Sequence, residues 1–269
     1  MRSQIDDERA PGAYRPGPLT LWGGIRGVLG LLLSWPLLAI LTTLWPLVAV
    51  LTFRIGVSEY RHHFMRTFGR VHLFLVGVKI RVKNPERLTR RESRIITFNH
   101  CSQLDMFLGA AVVPPGGLPL MKKELLYVPI LGWGMWAFRL PTVDRSRPSR
   151  ARASLSALAR HIKEKRGSLM ISPEGTRSAD GSLGSFKMGA FHLANDFNAP
   201  IVPVVIRGAH ECLPLGSWFV RPGIVEIEVL EAIGVNVEKR KALRRCRDEL
   251  HALYLDALGQ SLDPDAPKS

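Results

Sequence analysis

The stretch Arg94-Ile95-Ile96-Thr97-Phe98-Asn99-His100-Cys101-Ser102-Gln103-Leu104-Asp105 begins apolar and β-branched and ends in small polar residues. RIITF, residues 94–98, has the length and composition of a buried strand. Ser102, with Asp105 three residues on, has the S-x-x-D form of a capping box and predicts a helix starting at Ser102. A strand that runs through a short polar loop into a helix is a unit of an α/β domain. Within that loop lie a histidine and an aspartate five residues apart. On one continuous helix they would point about 140° apart. If the helix starts between them, His100 stays outside it and can fold back over the first turn. There Asp105 could accept the Nδ1–H bond and leave Nε2 facing outward as a base. The acid of the cap and nothing more is an equal reading of Asp105. Cys101 is the weaker partner for His100, because adjacent side chains diverge and a buried apolar cysteine is the common case.

Further strands read outward from this unit at KIRVK (79–83), SLMIS (168–172), IVPVVI (201–206) and IVEIEVL (224–230). Glu226 and Glu228 alternate with apolar residues, which suits a strand with one exposed face. Pro203 predicts an edge position or a strand start, since proline cannot donate to a ladder. Residues 149–167 put Leu155, Leu158 and Ile162 on one helical face, with Gly167 placed to end the helix. Near the C-terminus Leu243, Cys246, Leu250 and Leu253 form a stripe suited to packing on the sheet. The pattern predicts an α/β fold with a mixed, partly parallel sheet flanked by helices.

The N-terminal part is of another kind. Gly27 to Phe53 runs 27 residues without a charged side chain, enough for a bilayer crossing. Pro36 and Pro46 also allow two shorter helices dipping into one leaflet. Trp22, Trp35 and Trp45 suit the headgroup level. After it, Arg61, Arg66 and Arg70 interleave with Phe64, Phe68, Leu73 and Phe74, which reads as a basic amphipathic helix at an interface. His62, His63 and His72 read there as solvated or interfacial. The chain therefore divides into a disordered lead-in (1–20), a membrane-associated helical segment (21–78), an α/β domain (79–260) and a tail (261–269).

A net charge of +14 favours an anionic partner. Nucleic acid would account for the charge but not for residues 27–53, so an anionic membrane surface or phosphorylated substrate is the better reading. Three scattered cysteines form neither a disulfide framework nor a metal cluster. There is no P-loop and no G-x-S-x-G elbow. Two further stretches can carry chemistry. In SLMISPEGTRSADG (168–181), Gly175 allows close backbone approach and Arg177 can grip a phosphate with two parallel bonds. In MKKELLYVPILGWGMWAFRLPTVDRSR (121–147), Lys122, Lys123 and Arg145 flank an apolar, tryptophan-containing segment that suits an amphiphile with a charged head. A helix hairpin packed in the core would explain its apolar part equally well.

Taken together and in order, these stretches resemble the 1-acyl-sn-glycerol-3-phosphate acyltransferases, the bacterial PlsC-type enzymes of the glycerolipid acyltransferase family. NHCSQLD matches their N-H-x4-D block, KKELLYVPILGWG their second block, and SPEGTRS their E-G-T-R block. FKMGAFHLA (186–194) and IVPVVI follow as in the family. Ser172 stands where an aromatic is common, and Phe138-Arg139 where a small residue is common. The resemblance implies acyl transfer from acyl-CoA or acyl-carrier protein to the sn-2 hydroxyl of lysophosphatidic acid, without metal or cofactor. It implies His100 as general base and Asp105 as its orienting partner. Lys123 and Arg177 would hold the acceptor phosphate, with Glu174, Gly175 and Thr176 shaping the pocket and Arg145 as a further candidate. The resemblance also implies an N-terminal membrane-embedded helix pair beneath the α/β domain, and a membrane location on the cytoplasmic face, of the inner membrane in a bacterium. Another lyso-lipid, such as lyso-ornithine lipid, is the alternative acceptor. A non-catalytic basic membrane-binding protein is the alternative from outside enzymology.

Overall fold

The computed structural model describes residues 21–30, 57–89, 92–129, 131–144, 166–217, 219–235 and 240–260, with isolated positions in 32–40 and 155–164 and at 237. Its centre is a six-stranded sheet. The strands are β1 (Val78–Lys83), β2 (Arg94–Phe98), β3 (Gly117–Pro119), β6 (Ser168–Ile171), β7 (Ile201–Arg207) and β8 (Gly223–Val229). Their order is β1-β8-β7-β2-β6-β3, and only the β7–β8 pairing is antiparallel. A separate two-stranded parallel ribbon joins β4 (Met121–Lys122) to β5 (Thr142–Val143).

Alternation along the central strands sorts side chains between two cores. Ile96, Met170, Val202, Val204 and Ile206 face α2 (Val57–Leu75) and α3 (Asp105–Val112). Ile95, Leu169, Ile201 and Val205 face α5 (Gly189–Asp196) and α7 (Arg240–Leu258), between which the one-turn α6 (Ala209–Cys212) falls in sequence. The stripe on α7 packs as the sequence predicts, with Leu243 and Leu250 buried and Cys246 and Leu253 partly so. Glu226 and Glu228 lie on the wetter face of β8 and pair with Lys83 at 3.5 Å and Arg207 at 2.8 Å.

Four expectations change. β7 is an interior strand, so Pro203 is not at an edge. It is tolerated because the ladder with β8 begins only at Val204, and the Pro203 carbonyl takes Leu230 N–H at 2.9 Å just beyond it. The helix α3 starts at Asp105, not Ser102, because residues 103–104 form a turn first. Arg166, not Gly167, takes the left-handed conformation before β6 (φ 49°). His72 is neither solvated nor interfacial: it is buried, its ring stacked 3.4 Å over Phe107, and burial pushes its pKa down to about 4.

That stacking reflects how α2 is used. A Cβ at Gly69 would lie 2.5 Å from the Phe107 carbonyl, so α2 and α3 cross backbone to backbone. Arg66 Nε donates to the Val113 carbonyl at 2.7 Å, capping the last turn of α3, where a cation is favoured. One face of α2 thus belongs to the α/β core. Residues 21–30 form α1, whose Gly30 would meet the Leu75 carbonyl at 2.7 Å if it carried a Cβ. Leu21, Trp22, Leu29, Leu32 and Leu33 are exposed. Among the described residues no helix is long and apolar enough to cross a membrane. Much of 27–53, the lead-in 1–20 and the tail 261–269 lie outside the described residues.

Candidate active site

Parallel strands with helical crossovers present their C-terminal ends along one edge, where α/β domains bind ligands. β2 ends at Phe98 and leads to His100. Its neighbour β6 ends at Ile171 and leads to Glu174–Arg177. Next to that, β3 ends at Pro119 and leads through β4 to Lys123. Three segments far apart in sequence therefore meet on one edge of the sheet.

The His100 loop is held by side chains acting as backbone surrogates. Asn99 is buried and continues the β2–β7 pairing: Oδ1 accepts from Ile206 N–H at 2.8 Å and Nδ2 donates to Ile206 O at 2.9 Å. His100 N–H donates to Glu174 Oε1 at 2.7 Å, and its carbonyl accepts from Ser178 N–H at 2.9 Å. The main chain of the histidine is thereby clamped from both sides by the E-G-T-R loop. Sequence reading does not single out Asn99 for this task. A buried asparagine at the end of a strand was the available signal.

His100 Nδ1 lies 2.6 Å from Asp105 Oδ2, which also accepts the amide protons of Cys101 and Ser102, each at 2.9 Å. A carboxylate oxygen only accepts, so in the neutral imidazole Nδ1 carries the proton and Nε2 keeps its lone pair. No described residue bonds to Nε2, and the ring is partly exposed while Asp105 is buried. Ser102 Oγ accepts from Leu104 N–H at 3.0 Å and donates to Leu213 O at 2.7 Å. A reciprocal cap is therefore present, although the regular helix begins later. Asp105 serves both the cap and the histidine. The Cys101 thiol is buried, and burial together with nearby carboxylates drives its pKa far upward, so it is not a nucleophile.

Glu174 is buried, with Oε2 accepting Gly184 N–H at 2.8 Å. Burial pushes its carboxyl up to about 7 against the pull of these two amides. Both of its oxygens are committed to backbone, so it shapes the loop instead of offering itself to a ligand. Gly175 has φ +73°, and the side chain of Lys187 fills the space a Cβ would need, with Nζ 2.9 Å from that position. Lys187, a residue the sequence reading does not assign, so lies directly over the E-G-T-R loop. Thr176 and Arg177 are exposed on that loop, one residue before the clamp at Ser178. Lys123 is exposed at the start of a short 3₁₀ turn, 4.0 Å from Asp144. Arg145 lies outside the described residues.

This arrangement can remove a proton from a hydroxyl brought to His100 Nε2, with exposed cations nearby. Similarity to known proteins agrees with the order of the blocks. A family model described as Acyltransferase matches residues 79–207. A coconut (Cocos nucifera) protein named 1-acyl-sn-glycerol-3-phosphate acyltransferase is 34% identical over 73% of this chain and 63% of its own length. The chain thus spans a little under two thirds of that relative. A protein of the same name from Limnanthes alba is 32% identical over 90% of this chain and 78% of its own. The Escherichia coli protein of that name is 31% identical over 63% and 70%. The crystal structure of PlsC, an acyltransferase from Thermotoga maritima, shares the fold with a TM-score of 0.60 and 23% identity, over 82% of this chain and 97% of that one. The chain belongs to the 1-acyl-sn-glycerol-3-phosphate acyltransferase family.

Proposed function

We propose that the protein transfers a fatty acyl group from an acyl thioester, acyl-CoA or acyl-carrier protein, to the sn-2 hydroxyl of lysophosphatidic acid, giving phosphatidic acid. The observation that carries this reading is the His100 Nδ1–Asp105 Oδ2 contact of 2.6 Å with Nε2 left facing outward. His100 Nε2 takes the proton of the acceptor hydroxyl as its oxygen attacks the thioester carbonyl. The buried Asp105 stabilises the imidazolium that forms. Collapse of the tetrahedral intermediate breaks the C–S bond, and the thiolate leaves with the proton returned by His100. The amides of His100, Cys101 and Ser102 are already engaged, so oxyanion donors must come from elsewhere. Arg177 and Lys123 hold the acceptor phosphate, and Lys187, over Gly175, adds a third cation. The reaction as written uses no metal or cofactor.

The apolar run 27–53 and the exposed side chains Leu21, Trp22, Leu29, Leu32 and Leu33 support membrane attachment through the N-terminal helices, where the substrates reside. The test is a panel of lyso-acceptors, lyso-ornithine lipid included, given to the reconstituted protein with acyl-CoA or acyl-carrier protein. Mass spectrometry then identifies the product. Phosphatidic acid as the main product is expected. Transfer only to another lyso-lipid would reassign the acceptor, and no thioester consumption with any pair would remove the enzymatic reading.

A further inference from the structure

Resting on the membrane attachment proposed above, the geometry points to a second membrane contact outside the N-terminal segment: an aromatic platform on α4 (Leu131–Ala137) that seats on an anionic lipid surface. α4 is apolar on both sides. Met135 and Phe138, three residues apart, are buried beneath it, while Trp133 and Trp136, also three apart, are 61% and 73% exposed. Tyr127, on the preceding 3₁₀ turn, is 79% exposed. A helix over water would carry polar residues on its outer face. Tryptophan and tyrosine are instead the residues that favour the boundary between headgroups and acyl chains.

The platform is rigid and correctly placed. A Cβ at Gly132 would fall 2.0 Å from the Leu126 carbonyl, so the turn and α4 press backbone to backbone, and Gly132 N–H bonds Val128 O at 2.8 Å. The Phe138 ring packs 4.6 Å from that of Phe64, and the Phe138 carbonyl accepts from Arg61 Nη1 at 3.2 Å. Both partners lie in the first half of α2, the helix that follows the apolar run by four residues. The platform is therefore tied to α2, the first described helix after the apolar run in sequence. Arg139 lies in the turn that follows α4, three residues after Trp136. It is exposed, held at φ 51°, and paired with no carboxylate among the described residues. Exposed Lys122 and Lys123 flank the same segment, each with a carboxylate at its side, Glu124 at 3.6 Å and Asp144 at 4.0 Å, so Arg139 is the cation that decides the charge of the patch. Cations beside interfacial aromatics match an anionic leaflet.

The test uses the full chain with Trp22, Trp35, Trp45 and Trp218 changed to Phe, leaving Trp133 and Trp136 as reporters. Substrate-free vesicles of phosphatidylcholine and phosphatidylglycerol are offered, with and without brominated acyl chains. On binding, the reporter emission should shift to the blue and be lost largely to brominated lipid. Arg139→Ser should reduce the shift on anionic vesicles only. If the four substitutions impair folding, the same quenching is read as the difference between wild type and W133F/W136F. Sedimentation with vesicles while the reporters stay unshifted and open to aqueous acrylamide overturns the platform and leaves the N-terminal attachment standing. Failure to sediment overturns the attachment on which the platform rests. A shift that needs added acyl thioester, or that appears without lipid and grows with protein concentration, also overturns it, in favour of an acyl-chain site or a second copy.

Discussion

The two sides of the proposed site are built on opposite terms. Around His100 nearly every polar group is engaged before a substrate arrives: the main chain by Glu174 and Ser178, the ring by Asp105, and the strand end by Asn99. On the cation side, Arg177 and Lys187 are exposed without a carboxylate partner among the described residues, and Lys123 has one only at 4.0 Å. The difference follows from what each group must do. A base has to be aimed to a fraction of an ångström, which requires bonds that are already made. A charge that holds phosphate has to be left unpaired, or the ligand must first break an ion pair. Substitutions on the first side should therefore cost turnover, and those on the second should cost acceptor affinity.

The largest effect falls on His100. His100→Ala should lower kcat by about 10² to 10⁴, the range general-base catalysis supplies, with an unchanged melting curve. Asp105→Asn separates the two tasks of that residue. All three bonds converge on one oxygen, Oδ2, so the asparagine oxygen can keep them, while its NH₂ replaces Oδ1, which is buried without a partner. The cost in stability should be about 1–3 kcal/mol for the stranded donor. What disappears is the charge that stabilises the imidazolium, so kcat should fall at least about 10²-fold. A variant with a lowered melting temperature but normal kcat would reduce Asp105 to a cap.

Glu174 gives the braced side a pH signature. Its carboxyl, ordinarily near 4.5, is raised to about 7 in the folded protein by burial. The folded state therefore holds more protons than the unfolded state between these values, and stability must fall as pH rises from about 4.5 to 7. The contribution of this group is of the order of 3 kcal/mol. Thermal melts across that window should show the decline, and Glu174→Gln should flatten it. The variant should also start lower, because its amide NH₂ faces the Gly184 or His100 N–H.

What was legible in the sequence divides along the same line. Strands and the α7 stripe were read from periodicity, because burial on a known face imposes it. His100 and Asp105 could be paired because a cap motif between them put the histidine outside the helix, even though the helix starts three residues later. Pro203 misled because a local rule about donors says nothing of where the neighbouring ladder ends. His72 misled because α2 combines arginines with aromatics, the composition of an interfacial helix, yet spends Arg61 and Arg66 on the carbonyls of Phe138 and Val113. Glu174 reads in the sequence as shaping the phosphate pocket, and only three-dimensional proximity to the His100 and Gly184 amides reveals that it holds backbone. Lys187 is hidden for the same reason, ten residues beyond the end of the motif it covers.

On the unpaired side the effects should be smaller and confined to KM. Arg177→Lys exchanges a two-pronged contact for a single one, worth roughly tenfold in acceptor KM. Lys187→Met is the finest test. Methionine keeps an unbranched stem to cover Gly175, so the loop and its φ of +73° are retained and only the ammonium is lost. One exposed cation contributes at most about 1 kcal/mol in water, so acceptor KM should rise about threefold at low salt. That rise should vanish as salt screens it, because interactions beyond about 10 Å fade at 0.1 M and closer exposed ones weaken. Lys187→Arg should restore the affinity. A fall in kcat for Lys187→Met, with KM unmoved and no salt dependence, would mean that Lys187 belongs to the braced half, holding Gly175 in place for the sake of His100.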